Sequence, residues 1–171
     1  MAAGSGSDPA GMKDRTTAER RSERELVVTR WINGPARLVF EAFTKPELLK
    51  RWWVPKSSGL NLLSCEMDVR VGGGYRLVFA SDPEPMAFYG RYLEVTPYSR
   101  LVWTNDESAD GGAVTTVTFE EQGGRTLLVM HDLYPSKEAL DALTGMEEGT
   151  RETLDQLDEL VVTLAASSGR S

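Results

Sequence analysis

Few residues in this chain could do chemistry. His131 is the only histidine, and Asp132 follows it. An imidazole beside a carboxylate could serve as a general acid or base, with the carboxylate orienting the ring. The bland reading is a strand-end histidine with a satisfied hydrogen bond. A lone histidine excludes a multi-histidine metal site, and with Cys65 the only cysteine there is no His/Cys zinc cluster, so no metal or other cofactor is expected. Cys65 falls on the apolar side of an alternating segment, where burial raises a thiol's pKa and leaves it inert. Ser64 points the opposite way, and no Gly-x-Ser-x-Gly elbow occurs. Gly72-Gly73-Gly74 lacks the Lys-Ser/Thr and the following helix of a phosphate-binding loop, and reads as a hairpin turn. Glu66, Asp68, Arg91 and Glu94 are further candidates for acid–base or anchoring work inside a cavity. Glu66 and Asp68 share a polar face with Arg70, which suits solvent. Around Arg91 and Glu94 the alternation is ambiguous, because aromatics occur at both parities. No catalytic set emerges.

The bulk properties narrow the setting. A chain of 171 residues with 40% hydrophobic and 26% charged residues suits one globular domain. Apolar runs are too short to span a bilayer, and the N-terminus has no charged-then-apolar leader, so neither membrane insertion nor secretion is expected. A net charge of −7 argues against nucleic acid, whose phosphates demand a basic face. The single cysteine fits a reducing cytoplasm.

The elements that would position these groups follow from periodicity. Residues 1–24 lack an apolar pattern and read as a flexible tail, with the domain at 25–166. Leu26 to Ile32 is a first strand, ended at Asn33-Gly34-Pro35. Ala36 to Thr44 and Glu47 to Trp53 are short helices separated by Lys45-Pro46. Six strands follow: Leu60 to Val71, Tyr75 to Ala80, Phe88 to Val95, Arg100 to Asn105, Val114 to Glu121 and Thr126 to Leu133. Their short turns imply an antiparallel meander. In the first of these, Leu63, Cys65, Met67, Val69 and Val71 alternate onto one face. Ser136 caps a long closing helix with an apolar stripe from Leu140 to Leu164 and an acidic back. Thr144-Gly145 is a candidate break.

This is an α+β pattern of the helix-grip type, a curved antiparallel sheet closed by a C-terminal helix. A helix about 10 Å wide cannot fill the hollow of so broad a twisted sheet. Bulky side chains fill the remainder, or it is a cavity between sheet and helix. The expected wall residues are Trp53, Tyr75, Phe79, Phe88, Tyr92, Trp103, Met130, Met146 and Thr150. Gly145 and Gly149 beside the stripe suggest close helix–sheet approach or room for a guest. Trp52-Trp53 is either an apolar plug or, in one member of the pair, a wall near the mouth.

Several short motifs then occur in order: Pro35 to Thr44 with Pro46-Glu47; Trp52-Trp53-Val54-Pro55; Val71-Gly72-Gly73-Gly74-Tyr75-Arg76; Gly90-Arg91-Tyr92-Leu93-Glu94-Val95 with Pro97 to Thr104; and Gly145 to Gly149 with Leu154 to Leu157. Over residues 25–165 the chain resembles the SRPBCC (START-like) superfamily, in the branch of the C-terminal domain of the heat-shock-protein ATPase activator. Thr150 departs from it, since many members carry Trp directly after the helix glycine. The resemblance implies the fold more than an activity, because the superfamily includes hydrophobic-ligand binders, polyketide cyclases and co-chaperone domains. The leading expectation is non-enzymatic binding of a small hydrophobic or aromatic molecule. The alternatives are a cyclase- or hydrolase-like enzyme using His131 or Arg91, and a co-chaperone-like protein-interaction domain. A homodimer is compatible with all three.

Overall fold

The structure, a computed structural model, describes residues 16–81, 83–106, 112–142 and 146–168; the side chains of 146–149 and 168 are not among them. The elements are β1 (Thr17–Arg20), β2 (Glu25–Ile32), α1 (Ala36–Thr44), α2 (Pro46–Leu49), a 3-10 turn (Lys56–Ser58), β3 (Leu62–Met67), β4 (Gly74–Phe79), β5 (Met86–Thr96), β6 (Arg100–Thr104), β7 (Val114–Gln122), β8 (Arg125–Leu133), α3 (Lys137–Asp141) and α4 (Met146–Ser168). The strands form one antiparallel sheet in the order β1-β2-β8-β7-β6-β5-β4-β3. The α+β helix-grip architecture is therefore present, with eight strands rather than seven.

Local chemistry explains the ladder. Gly123 and Gly124 both take positive φ, 60° and 81°, the backbone that a two-residue hairpin turn needs to match strand twist. They set Gln122 opposite Arg125, so Val117 and Phe119 of β7 and Thr126 and Leu128 of β8 all face the core. Ser136 caps α3, its hydroxyl accepting from the Ala139 amide at 3.1 Å.

Two departures from the sequence expectation have physical causes. First, β1 lies inside the segment read as a tail. All four of its residues are exposed, so no apolar alternation advertises it; backbone pairing to β2 makes the strand. Second, β3 ends at Met67, and Leu63 and Val71 are 53% and 67% exposed rather than on the apolar face. A register shift between Leu62 and Ser64 inserts Leu63 as an extra residue, which turns its side chain outward. Beyond Met67 the chain folds through Gly72, at φ 88°. The closing helix is described as α3 and α4. The candidate break at Thr144-Gly145 lies outside the described residues.

Helix α4 buries Leu154, Leu157, Leu160 and Val161 against β2 and α1. Contact is close where Gly34 faces it: a Cβ on Gly34 would lie 2.2 Å from Val161 Cγ1. The acidic back of the helix is not all solvated. Arg30, 4% exposed on the inner face of β2, donates to Asp155 Oδ1 at 2.5 Å and Asp158 Oδ2 at 3.1 Å. Asp158 also accepts from the backbone and side-chain amides of Asn33, and Thr16 takes another guanidinium hydrogen.

Breaking a buried pair by removing one partner strands the other charge, whereas exposed pairs contribute little. Asp158→Ala, at a carboxylate only 14% exposed, should therefore destabilise the protein by about 3 kcal/mol. Asp155→Ala, 55% exposed, should cost at most about 1 kcal/mol. Urea unfolding of the two variants checks the ranking.

Candidate ligand cavity

The two halves of the sheet are covered differently. Helices α1 and α4 lie over β2, β7 and β8, while the inner face of β3 to β6 borders a cavity of about 300 Å³. That volume is at the lower end of the range for small-molecule sites. Its walls are inner-face side chains of the strands: Met67 from β3, Tyr75, Leu77 and Phe79 from β4, Phe88 and Tyr92 from β5, and Trp103 from β6, with Asn105 just beyond. Phe43 of α1, Leu49 of α2 and the segment Trp53-Val54-Pro55 close the other side. Leu60 and Met86 also border it while 46% and 42% exposed, which places an apolar mouth there.

Trp52 and Trp53 divide the two roles between them. Trp52 is 1% exposed, edge-on to Phe43 at 4.8 Å, and donates its indole N–H to the Ala42 carbonyl at 2.9 Å. It is the plug. Trp53 is half-buried and lines the cavity. Its segment is fixed from the helix. The Gln156 Nε2 donates to the carbonyls of Trp52 and Val54, and its Oε1 accepts from the Lys56 amide. Glu152 accepts from the backbone and hydroxyl of Ser57, which holds its carboxyl below the usual range.

Of the nine expected wall residues, Trp53, Tyr75, Phe79, Phe88, Tyr92 and Trp103 meet around this cavity. Met130 and Thr150 are not among its lining. Met130 does face inward, paired with Val117 and Val28, but on the half of the sheet that the helices cover. The Met146 side chain, Gly145 and the surroundings of Gly149 lie outside the described residues. No described side chain of α4 borders the cavity; from Gln156 and Glu152 the helix holds the Trp53 segment. Asn105 was missed, although it shares parity with Trp103 and Leu101. The 53–60 connection had no periodicity to reveal it.

The remaining candidates resolve by face. A register shift between Tyr92 and Glu94 inserts Leu93 as an extra residue in β5, which is why its alternation was ambiguous. Arg91 is 67% exposed and 3.5 Å from Asp106; Glu94 pairs with Arg100 at 3.0 Å. Glu66 and Asp68 are exposed. His131 sits opposite Thr116, and its Nε2–H donates to the Glu25 carboxylate at 2.7 Å, which lowers the Glu25 pKa. Asp132 lies on the other face of β8, opposite Thr115. The adjacent pair therefore never forms an oriented acid–base unit, and neither His131 nor Arg91 borders the cavity. Burial raises the Cys65 thiol, as its apolar face requires. Among the described residues no group of three His, Cys, Asp or Glu could hold a metal ion.

A polar chain begins at the cavity. Tyr75 donates its hydroxyl toward the Thr104 carbonyl and Asn105 Oδ1, at 2.9 and 3.1 Å. The Asn105 amide donates to the Ala113 carbonyl and Thr115 Oγ1. Thr115 then donates to Asp132 at 2.5 Å. Burial pushes the Asp132 carboxyl above the usual carboxylate range, offset in part by Thr115 and by the nearby His131.

The family model described as "Activator of Hsp90 ATPase homolog 1-like protein" matches residues 33–162. Among solved structures, a protein from Nitrosomonas europaea is 27% identical, with 86% of this chain and 99% of that one covered and a TM-score of 0.75. A Chromobacterium violaceum protein is 30% identical, covering 80% and 96% at a TM-score of 0.64. A Rhodobacter sphaeroides protein, 24% identical with 89% and 99% covered, has the same fold at a TM-score of 0.77. No protein of curated function matches the chain.

Because Asp132 holds its proton to higher pH in the folded state than in the unfolded chain, its contribution to stability falls as pH rises from its ordinary value of 3.8 through the raised native one. Asp132→Asn should accordingly raise Tm near neutrality, and the gain should vanish as pH drops below 3.8. Thermal melts of both proteins across that range test the sign.

Proposed function

Because the chain belongs to the family of Activator of Hsp90 ATPase homolog 1-like proteins, we propose that it binds a small hydrophobic or aromatic molecule in the cavity under β3 to β6 and does not transform it. The observation that carries this reading is the wall itself: seven of its fifteen described residues are aromatic and none is charged. A void of that kind forfeits dispersion contacts that a close-packed interior would make, and an apolar guest restores them. The mouth at Leu60 and Met86 gives entry. An enzyme reading would need His131 or Arg91 at the guest, and both lie elsewhere. A cytoplasmic setting is inferred from the free Cys65. Among the described residues no helix is long and apolar enough to cross a membrane.

A second reading, a co-chaperone-like docking domain, draws on the family description and on the exposed apolar side chains Leu63, Tyr89 and Leu93 of β3 and β5. Co-purification with a chaperone, abolished by Leu63→Ser and Leu93→Ser, would favour it.

The binding role predicts that the neutral fluorescent probe N-phenyl-1-naphthylamine enters the cavity. Met67→Phe, which adds bulk at a lining position, should weaken it at least about tenfold with little change in Tm. Unchanged affinity in that variant would contradict the assignment.

A further inference from the structure

The polar groups facing the cavity are not equivalent. Tyr75 and Asn105 have their hydrogens engaged by Thr104, Ala113 and Thr115. Tyr92 and Trp103 do not. They are directly paired across β5 and β6, are 4% and 8% exposed, and both line the cavity. Neither the Tyr92 hydroxyl nor the Trp103 indole N–H makes a hydrogen bond among the described residues, and neither atom is fully enclosed. Neither donor is closed off from the cavity, so each keeps a hydrogen for an occupant, and packing alone would be served by phenylalanine, as at Phe79 and Phe88 nearby. Directly opposite residues have Cβ atoms about 5 Å apart, so two unspent donors start from neighbouring points on one wall. Burial, with a smaller push from Cys65, raises the Tyr92 phenol, so it remains a donor at any physiological pH.

We propose that Tyr92 and Trp103 read a hydrogen-bond acceptor on the guest, and that the cavity therefore selects neutral aromatic molecules carrying a ketone-type carbonyl. This rests on the binding role proposed above and specifies its ligand class. Neutrality follows from the described wall, which has no cation to compensate an ionised carboxylate taken out of water. The aromatic part matches the ring-rich lining, and the carbonyl oxygen supplies the acceptor that both donors lack.

Acetophenone and α-methylstyrene have nearly the same shape and differ in C=O against C=CH2, and benzoate adds charge. Amide chemical-shift titrations with the three should rank acetophenone about tenfold tighter than α-methylstyrene, the ratio that one net hydrogen bond supplies, with benzoate weakest. The Trp103 indole proton should shift downfield with acetophenone only. In Tyr92→Phe the preference should shrink to about twofold or less, with Tm no lower than in the parent. Equal affinities in the parent protein, or a preference that survives Tyr92→Phe intact, would overturn the selectivity while leaving the binding role standing. If no probe moves the amides of the lining, the binding role fails and the selectivity with it.

Discussion

Between Trp52 and Lys56 the backbone joins no ladder, so its polar groups have to be satisfied from elsewhere. The Gln156 side chain satisfies three of them, giving hydrogens to two carbonyls and accepting one from an amide. Only a carboxamide can donate twice and accept at once from a single buried position; a glutamate there could only accept. Trp53, Val54 and Pro55 hold their places in the cavity wall because this helix-borne amide clamps the chain on both sides of them. Arg30 in turn fixes the helix on the sheet through Asp155 and Asp158. The site thus depends on two polar ties, one setting the helix and one setting the wall.

This arrangement changes what the long helix does. A terminal helix is too narrow to cover eight strands, and the structure meets that constraint asymmetrically. The helix and α1 seal β2, β7 and β8, and among the described residues the remainder is roofed by Phe43, Leu49 and the irregular segment 53–55. The two register shifts, at Leu63 and Leu93, both lie in the roofed half. Each adds a residue and increases local bend, and the cavity lies within that bent half.

Alternation made much of this visible beforehand. Tyr75, Leu77 and Phe79 could be placed on one face because side chains in a strand alternate with period two. Met130 was expected in the wall and instead faces inward on the half that the helices cover, for alternation says which face a residue occupies and not what covers that part of the face. β1 could not be read, since a strand exposed on both sides has no pattern to show. Gln156 could not be read either, because a lone polar residue beside an apolar stripe looks like the stripe's border. The separation of His131 from Asp132 was implicit in the same alternation, for neighbours in a strand point to opposite sides.

Among the described residues eight strands leave two outer margins, and neither is a long, flat, continuous edge. One is the four-residue Thr17–Arg20, short, polar and ending in Arg20, which engages Asp141. The other is Leu62–Met67, whose extra residue at Leu63 breaks the regular spacing of its outward amides. A flat, continuous margin would invite stacking of copies into aggregates. The described margins lack that continuity, so a sheet bent around an apolar cavity does not also carry a flat edge for polymerisation.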